Sequence, residues 1–279
     1  MTMTKYYLTC LFVGALISFP AGGDLDKAWQ EFDFQNYPLA RSLFEKVIQE
    51  QRADPDMVYS EGKPGEIVQA RMGLAMITHF EQPGNDPQEA FRMYKEILAE
   101  LDEDHPVRAN AYLLMGKALM DVEPPKVEEA QRNFDTVLDT YPGSPEAHEA
   151  ALEKAFSFVH ESTEANIHRA VRFLRQYCDS FPDNPLVSTM YNFSGRILLR
   201  ADEPRLALDY LLDWAEVGPV NIREVNLLFF RIARVYDKVI ENPDSAIVYY
   251  RKFYENDRLD PLAFYCRRRI EQLSDGSRQ

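Results

Sequence analysis

The sequence predicts an all-α protein, a solenoid of six helix–turn–helix repeats closed by a C-terminal helix. Three observations carry that expectation. From residue 24 onward, apolar residues recur at spacings of three and four in stretches of roughly 12–16 residues, the pattern of helices that bury one stripe. Strand-like alternation is not seen. Prolines fall at helix starts and in turns (Pro38, Pro87, Pro106, Pro145, Pro204, Pro243, Pro261), where the missing N–H would have no intrahelical acceptor. Finally, a small–small–bulky signature returns six times at nearly constant spacing.

The amino terminus reads as a targeting segment. Lys5 precedes an apolar run from Tyr6 to Phe19, Pro20 breaks the run, and Ala21-Gly22-Gly23 leads to Asp24. A basic start, a short apolar stretch and a small-residue end are the parts of a secretory signal. The run is short for a bilayer, which a helix crosses with ~20 residues. Residues 1–23 are therefore either a signal cleaved near Gly23 or a retained membrane anchor. Cys10 does not read as a lipidation site, because Thr9 precedes it and most of the apolar run follows it. No later segment could span a membrane. The remaining thiols, Cys178 and Cys266, lie two repeats apart and read as small buried hydrophobes rather than a disulfide.

The repeats follow in order. Ala28 is paired with Ala40 and Phe44; Gly73 with Ala90 and Tyr94; Gly116 with Ala130 and Phe134. Then come Ala155 with Ala170 and Leu174, Gly195 with Ala207 and Leu211, and Ala233 with Ala246 and Tyr250. The second-helix alanines at 40, 90, 130, 170, 207 and 246 set the period. Gly73, Gly116 and Gly195 sit in the middle of helical patterns, where glycine costs about 1 kcal/mol relative to alanine. Such a glycine implies that another backbone passes close by. Ser144-Pro145 and Asn184-Pro185 are cap-plus-proline pairs that predict helix starts. A closing helix is expected from Pro261 to Leu273, with a flexible tail over 274–279.

With this pattern the chain resembles the tetratricopeptide repeat (TPR) family. Asn110 to Leu119 resembles a first helix of that repeat, and Ala130 to Pro142 resembles a second helix with its terminal proline. The resemblance covers roughly 24–254, with repeats longer than the family's 34 residues through turns such as Glu81–Asn85 and Glu123–Lys126. The endings Tyr141-Pro142-Gly143-Ser144-Pro145 and Phe181-Pro182-Asp183-Asn184-Pro185 are similar to those of exported bacterial members, outer-membrane-assembly lipoproteins and periplasmic division proteins among them. The resemblance implies a right-handed superhelix whose first helices line a concave groove for a peptide or a partner helix.

In that register the groove positions are Trp29 and Phe32 in the first repeat, Lys117 and Met120 in the third, and Leu152, Phe156 and His160 in the fourth. The fifth contributes Asn192, Arg196 and Arg200, and the sixth Phe230 and Arg234. Arginine and asparagine beside aromatics suit an acidic ligand, because guanidinium grips carboxylate oxygens in a fork. The alternative is that Arg196 and Arg200 only offset Asp202 and Glu203 on a solvated face. Trp214 belongs to the core pattern, and Trp29 serves either as a binding anchor or as packing at the end of the array.

Charge narrows the function classes. The formal net charge is −14, which argues against a general nucleic-acid binder. The distribution is uneven: residues 24–164 carry −16 and residues 165–279 carry +1, including three consecutive arginines at 267–269. The acidic first half suits a basic partner or serves solubility, and an acidic partner is expected for the C-terminal groove. The arginine-rich last helix either contacts a partner or anionic surface or caps the solenoid. Catalytic patterns are lacking: the five histidines form no i, i+4 pair for zinc, and there is no phosphate loop, nucleophile elbow or Cys/His pair. No cofactor or metal is expected. The sequence therefore reads as a non-catalytic, exported scaffold of a bacterial cell envelope. A membrane-tethered assembly component and a regulatory subunit of an envelope enzyme are the alternatives.

Overall fold

A computed structural model describes residues 23–52, 65–219 and 222–276. Residues 1–22, which hold the targeting segment with Lys5 and Cys10, lie outside the described residues, as do 277–279 of the expected tail. The described residues form thirteen α-helices and no strand, an all-α fold of the TPR-solenoid class. The chain divides into two compact units, Met1–Ala150 and Ala151–Gln279.

The first unit contains α1 (Asp24–Asp33), α2 (Tyr37–Arg52), α3 (Glu66–Phe80), α4 (Pro87–Glu100), α5 (Val107–Asp121), α6 (Val127–Thr140) and the start of α7 (Pro145–Phe158). Consecutive helices from α1 through α6 pack on one another. Ala28, Ala40, Phe44, Ala90, Tyr94, Ala130 and Phe134 are all fully buried, so the small–small–bulky seam is the core. Caps start the helices: the Asp86 carboxylate accepts from the Glu89 N–H at 2.9 Å, and the Ser144 hydroxyl accepts from the Ala147 N–H at 3.1 Å.

The glycines act differently from the expectation. A methyl on Gly73 would collide with the Phe44 ring of α2, and one on Gly116 with the Phe134 ring of α6. What approaches these glycines is therefore an aromatic side chain, not a backbone. For Gly73 the bulky partner comes from the preceding helix, not from Tyr94 of the following one. Aromatic rings are wide and flat, so they reach maximal contact only where the facing helix has no Cβ.

The second unit continues α7 and adds α8 (Glu164–Ser180), α9 (Val187–Arg200), α10 (Pro204–Val217), α11 (Ile222–Val235), α12 (Pro243–Asn256) and α13 (Pro261–Gly276). Ala155, Ala170, Leu174, Ala207, Leu211, Ala233, Ala246 and Tyr250 are buried as the register requires. Trp214 is core, 1% exposed, and donates to the Ser188 hydroxyl at 3.0 Å. Asn184-Pro185 does not open α9 directly. The Asn184 amide oxygen accepts from the Leu186 N–H at 2.7 Å, a local turn that delays the helix to Val187.

Helix α11 is extended by a π-helical turn, Tyr236–Ile240, closed by Glu241 in the left-handed region at φ 58°. Asp237 lies within this turn, its side chain 1% exposed. Arg269 of α13 grips it in a fork, Nε to Oδ2 at 2.8 Å and Nη2 to Oδ1 at 2.7 Å, and the Tyr250 hydroxyl donates at 3.1 Å. One of the three consecutive arginines is thus an internal clamp that fastens α13 to α11.

Candidate functional site

The residues singled out from sequence separate into packed and exposed groups. In the first unit Trp29 is half-buried, edge-on to Phe44 at 5.0 Å and to Phe32 at 5.7 Å, and so contributes to the end of the core. Phe32 is buried. Lys117 donates to Glu149 at 2.7 Å, which engages its charge internally, and Met120 is partly buried against the core. In the second unit Leu152 is buried, while Phe156 is half-buried edge-on to Phe193 at 4.6 Å. His160 is exposed beyond the end of α7. Phe230 is half-buried among Tyr250, Phe253 and Tyr265.

Asn192, Arg196 and Arg200 lie one helical turn apart in succession on α9, along one face. Arg196 is half-buried and Arg200 exposed, and Arg234 is exposed on α11. Among the described residues no carboxylate pairs with Arg196, Arg200 or Arg234. Glu203, the acid that could have offset them, instead meets His168 Nε2 at 2.9 Å.

A further arginine joins this face that the sequence register did not single out. Arg231 of α11 is half-buried. Lost solvation and the positive charges of Arg196 and Arg200 hold its guanidinium below the usual arginine range, with Glu224 acting in the opposite sense. Beside the arginines, the buried Oδ1 of Asn192 has no hydrogen-bond donor. On the first-helix side of the second unit, α9 therefore carries Asn192, Arg196 and Arg200 along one face, with the Asn192 acceptor buried. Arg231 was missed because it lies off the groove face of its own helix and reaches the site through the neighbouring repeat.

Two other clusters bear on chemistry. Glu164, His168 and Glu203 bring three ligand-type atoms within 4.8 Å of one another, the one group of this kind among the described residues. Glu164 and His168 share a face of α8, but Glu203 arrives from the turn before α10, which spacing alone does not reveal. The thiols of Cys178 and Cys266 are buried, unpaired and pushed up to about 12 by desolvation, so they remain protonated at neutral pH. Neither is a candidate nucleophile.

No family model matches the chain, and no curated protein matches it. Solved structures do. PilF of Pseudomonas aeruginosa is 19% identical, with 91% of this chain and 96% of that one covered at a TM-score of 0.53. PilW, described as a widely conserved type IV pilus biogenesis factor, is 18% identical, with 87% and 96% covered at 0.55. A Podospora anserina putative kinesin light chain with TPR-like repeats is 17% identical, with 70% and 92% covered at 0.51. At these identities the likeness is one of fold: the chain has the architecture of TPR proteins.

Proposed function

We propose that the chain is a non-catalytic interaction scaffold of a bacterial cell envelope, holding a segment of a protein partner against its first-helix faces. The observation that carries this reading is how the repeats divide their side chains. The small–small–bulky seam is consumed in packing, whereas among the described residues Arg196 and Arg234 pair with no carboxylate and Asn192 Oδ1 accepts no hydrogen bond. TPR-fold neighbours support a role in protein binding. The signal-like segment before Asp24 and the fold shared with a pilus biogenesis factor support an envelope location. No described helix is long and apolar enough to cross a membrane.

Two experiments test this. Mass spectrometry of the native N-terminus should find a mature start near Gly23; recovering Met1 would replace the exported form by the tethered one. Crosslinking in cells, followed by rebinding of each captured protein to the purified chain, should return a saturable partner. A chain that rebinds none of them is not a scaffold.

A further inference from the structure

We propose that Glu164, His168 and Glu203 form a binding site for a divalent transition-metal ion of the zinc class. This site stands apart from the scaffold reading and does not depend on it. Its donor set is one imidazole nitrogen and two carboxylates, a mixture that zinc accepts in four-coordinate sites. The three ligand atoms lie within 4.8 Å of one another, with His168 Nε2 2.9 Å from Glu203 Oε1 and 4.0 Å from Glu164 Oε1. Donors ~2.0–2.2 Å from one tetrahedral ion stand roughly 3.3–3.6 Å apart, so the two separations bracket what an ion requires. Glu164 stands one turn before His168 on α8, which puts both on one face, and Glu203 closes the site from the turn before α10. Histidine pairs at this spacing are absent from the chain, but a glutamate four residues before a histidine presents two ligands in the same way.

The contact between His168 and Glu203 is not a hydrogen bond. Glu203 Oε1 is buried and accepts none, although the ring nitrogen is 2.9 Å away. A hydrogen bond needs the oxygen in line with the ring N–H. An ion held by both atoms occupies that line itself and needs the oxygen off it, by roughly 45° at this separation. A buried carboxylate oxygen without a donor is costly, and a cation is what its position can receive. Among the described residues no lysine or arginine forms an ion pair with Glu164 or Glu203, so their charges are not already balanced by one. Access is open as well: side-chain exposure rises from 26% at Glu203 through 32% at His168 to 84% at Glu164. Two carboxylates balance a doubly charged ion, the neutral imidazole is the third ligand, and a fourth position is left for water.

The test is calorimetric titration of zinc chloride into the untagged full chain, first stripped of metal with a chelator. Saturable binding of one equivalent is expected. His168→Gln and Glu203→Gln should each weaken it about tenfold or more, since losing a ligand costs no less than losing a group that orients one. His160→Gln, an exposed histidine outside the cluster, should leave it unchanged. Cobalt(II) should show the visible absorption of a four-coordinate ion in the wild type and lose it in both cluster variants. Magnesium in large excess should not displace zinc, because it prefers six oxygen donors. Zinc should raise the melting temperature of the wild type by mass action and leave that of His168→Gln where it was. Should that variant fail to fold, Glu203→Gln and the exposed Glu164→Gln carry the test. The site is overturned if zinc does not bind, if the cluster variants bind it as the wild type does, or if His160→Gln weakens binding equally. Displacement of zinc by magnesium would overturn the assignment to a zinc-class ion.

Discussion

The Asp237–Arg269 clamp allows a prediction whose size follows from burial. Asp237 is 1% exposed at its side chain and Arg269 is 24% exposed. Removing one member of a buried ion pair costs about 3–5 kcal/mol, because the other charge stays behind without compensation. Asp237→Asn keeps the side-chain shape and strands Arg269, which water can partly reach, so the loss should fall near the lower end of that range. Arg269→Gln strands the buried carboxylate, left with the Tyr250 hydroxyl and the Lys238 ammonium at 3.4 Å, and should fall nearer the upper end. The double variant should lose less than the sum of the two, with a coupling of about 0.5–3 kcal/mol. The two tryptophans, Trp29 and Trp214, fall in different units, so in a Trp29→Phe background the fluorescence reports residues 151–279 during urea unfolding. Acid supplies a second readout. Burial by itself raises the Asp237 carboxyl, but hydrogen bonds from Arg269 and Tyr250 and the charges of Arg269 and Lys238 outweigh it and hold the group below its ordinary value. The unfolded chain therefore takes up the proton first as pH falls. The stabilisation is complete above the ordinary carboxylate range near pH ~4 and is lost as pH falls through the native value. Asp237→Asn should remove that share of the acid sensitivity. Single variants within about 0.5 kcal/mol of wild type, or effects that simply add, would refute the clamp.

Further outcomes follow from the packing. Gly116→Ala should destabilise by up to about 2 kcal/mol in thermal or urea unfolding, because overpacking against Phe134 at about 1–3 kcal/mol is offset by a helix-propensity gain of about 1. Gly195→Ala should cost less, since its new methyl meets only the flexible end of Leu211 at 2.9 Å, and equal costs would show that ring rigidity is not what matters. Thiol labelling at pH 8 with peptide mapping should leave Cys178 and Cys266 unmodified in the native protein and modify both in urea; rapid native labelling of either would contradict their burial. Asp86→Ala should cost about 0.5–2 kcal/mol through loss of the α4 cap, measured by the same unfolding curves.

What could be read from the sequence, and what could not, follows from the range of each interaction. The seam of Ala28, Ala40 and Phe44 and its five copies was legible because helical periodicity and repeat spacing are local, and each small residue is buried for the same reason in every copy. The partner of Gly73 was not legible, since Phe44 lies across a repeat boundary and spacing cannot choose between the helix before and the helix after. Asp237 was hidden for another reason. It stands four residues after the buried Ala233, on the inward face, but the charge that matches it comes from Arg269 of α13, 32 residues on. At the candidate site, Asn192, Arg196 and Arg200 were found because they share one face of one helix. Arg231 and Glu203 were not, because each meets its neighbours only through tertiary packing.

These placements also change what the uneven charge means. Counting residues suggests a C-terminal half rich in available arginine, and the run at 267–269 looks like its most basic surface. In the structure Arg269 is an internal clamp, Arg267 lies over the Phe264 ring at 5.6 Å, and Arg205 donates to the Val239 carbonyl at 2.9 Å. In the other half Lys117, Arg41 and Lys46 are likewise engaged with Glu149, Glu81 and Asp24. Each such cation is held by a neighbour placed to receive it. Arg196, Arg200 and Arg234 differ in that no carboxylate among the described residues pairs with them. The arginine left available in the C-terminal half is therefore a few first-helix positions and not Arg269 of the run at 267–269, a distinction that net charge and composition both average away.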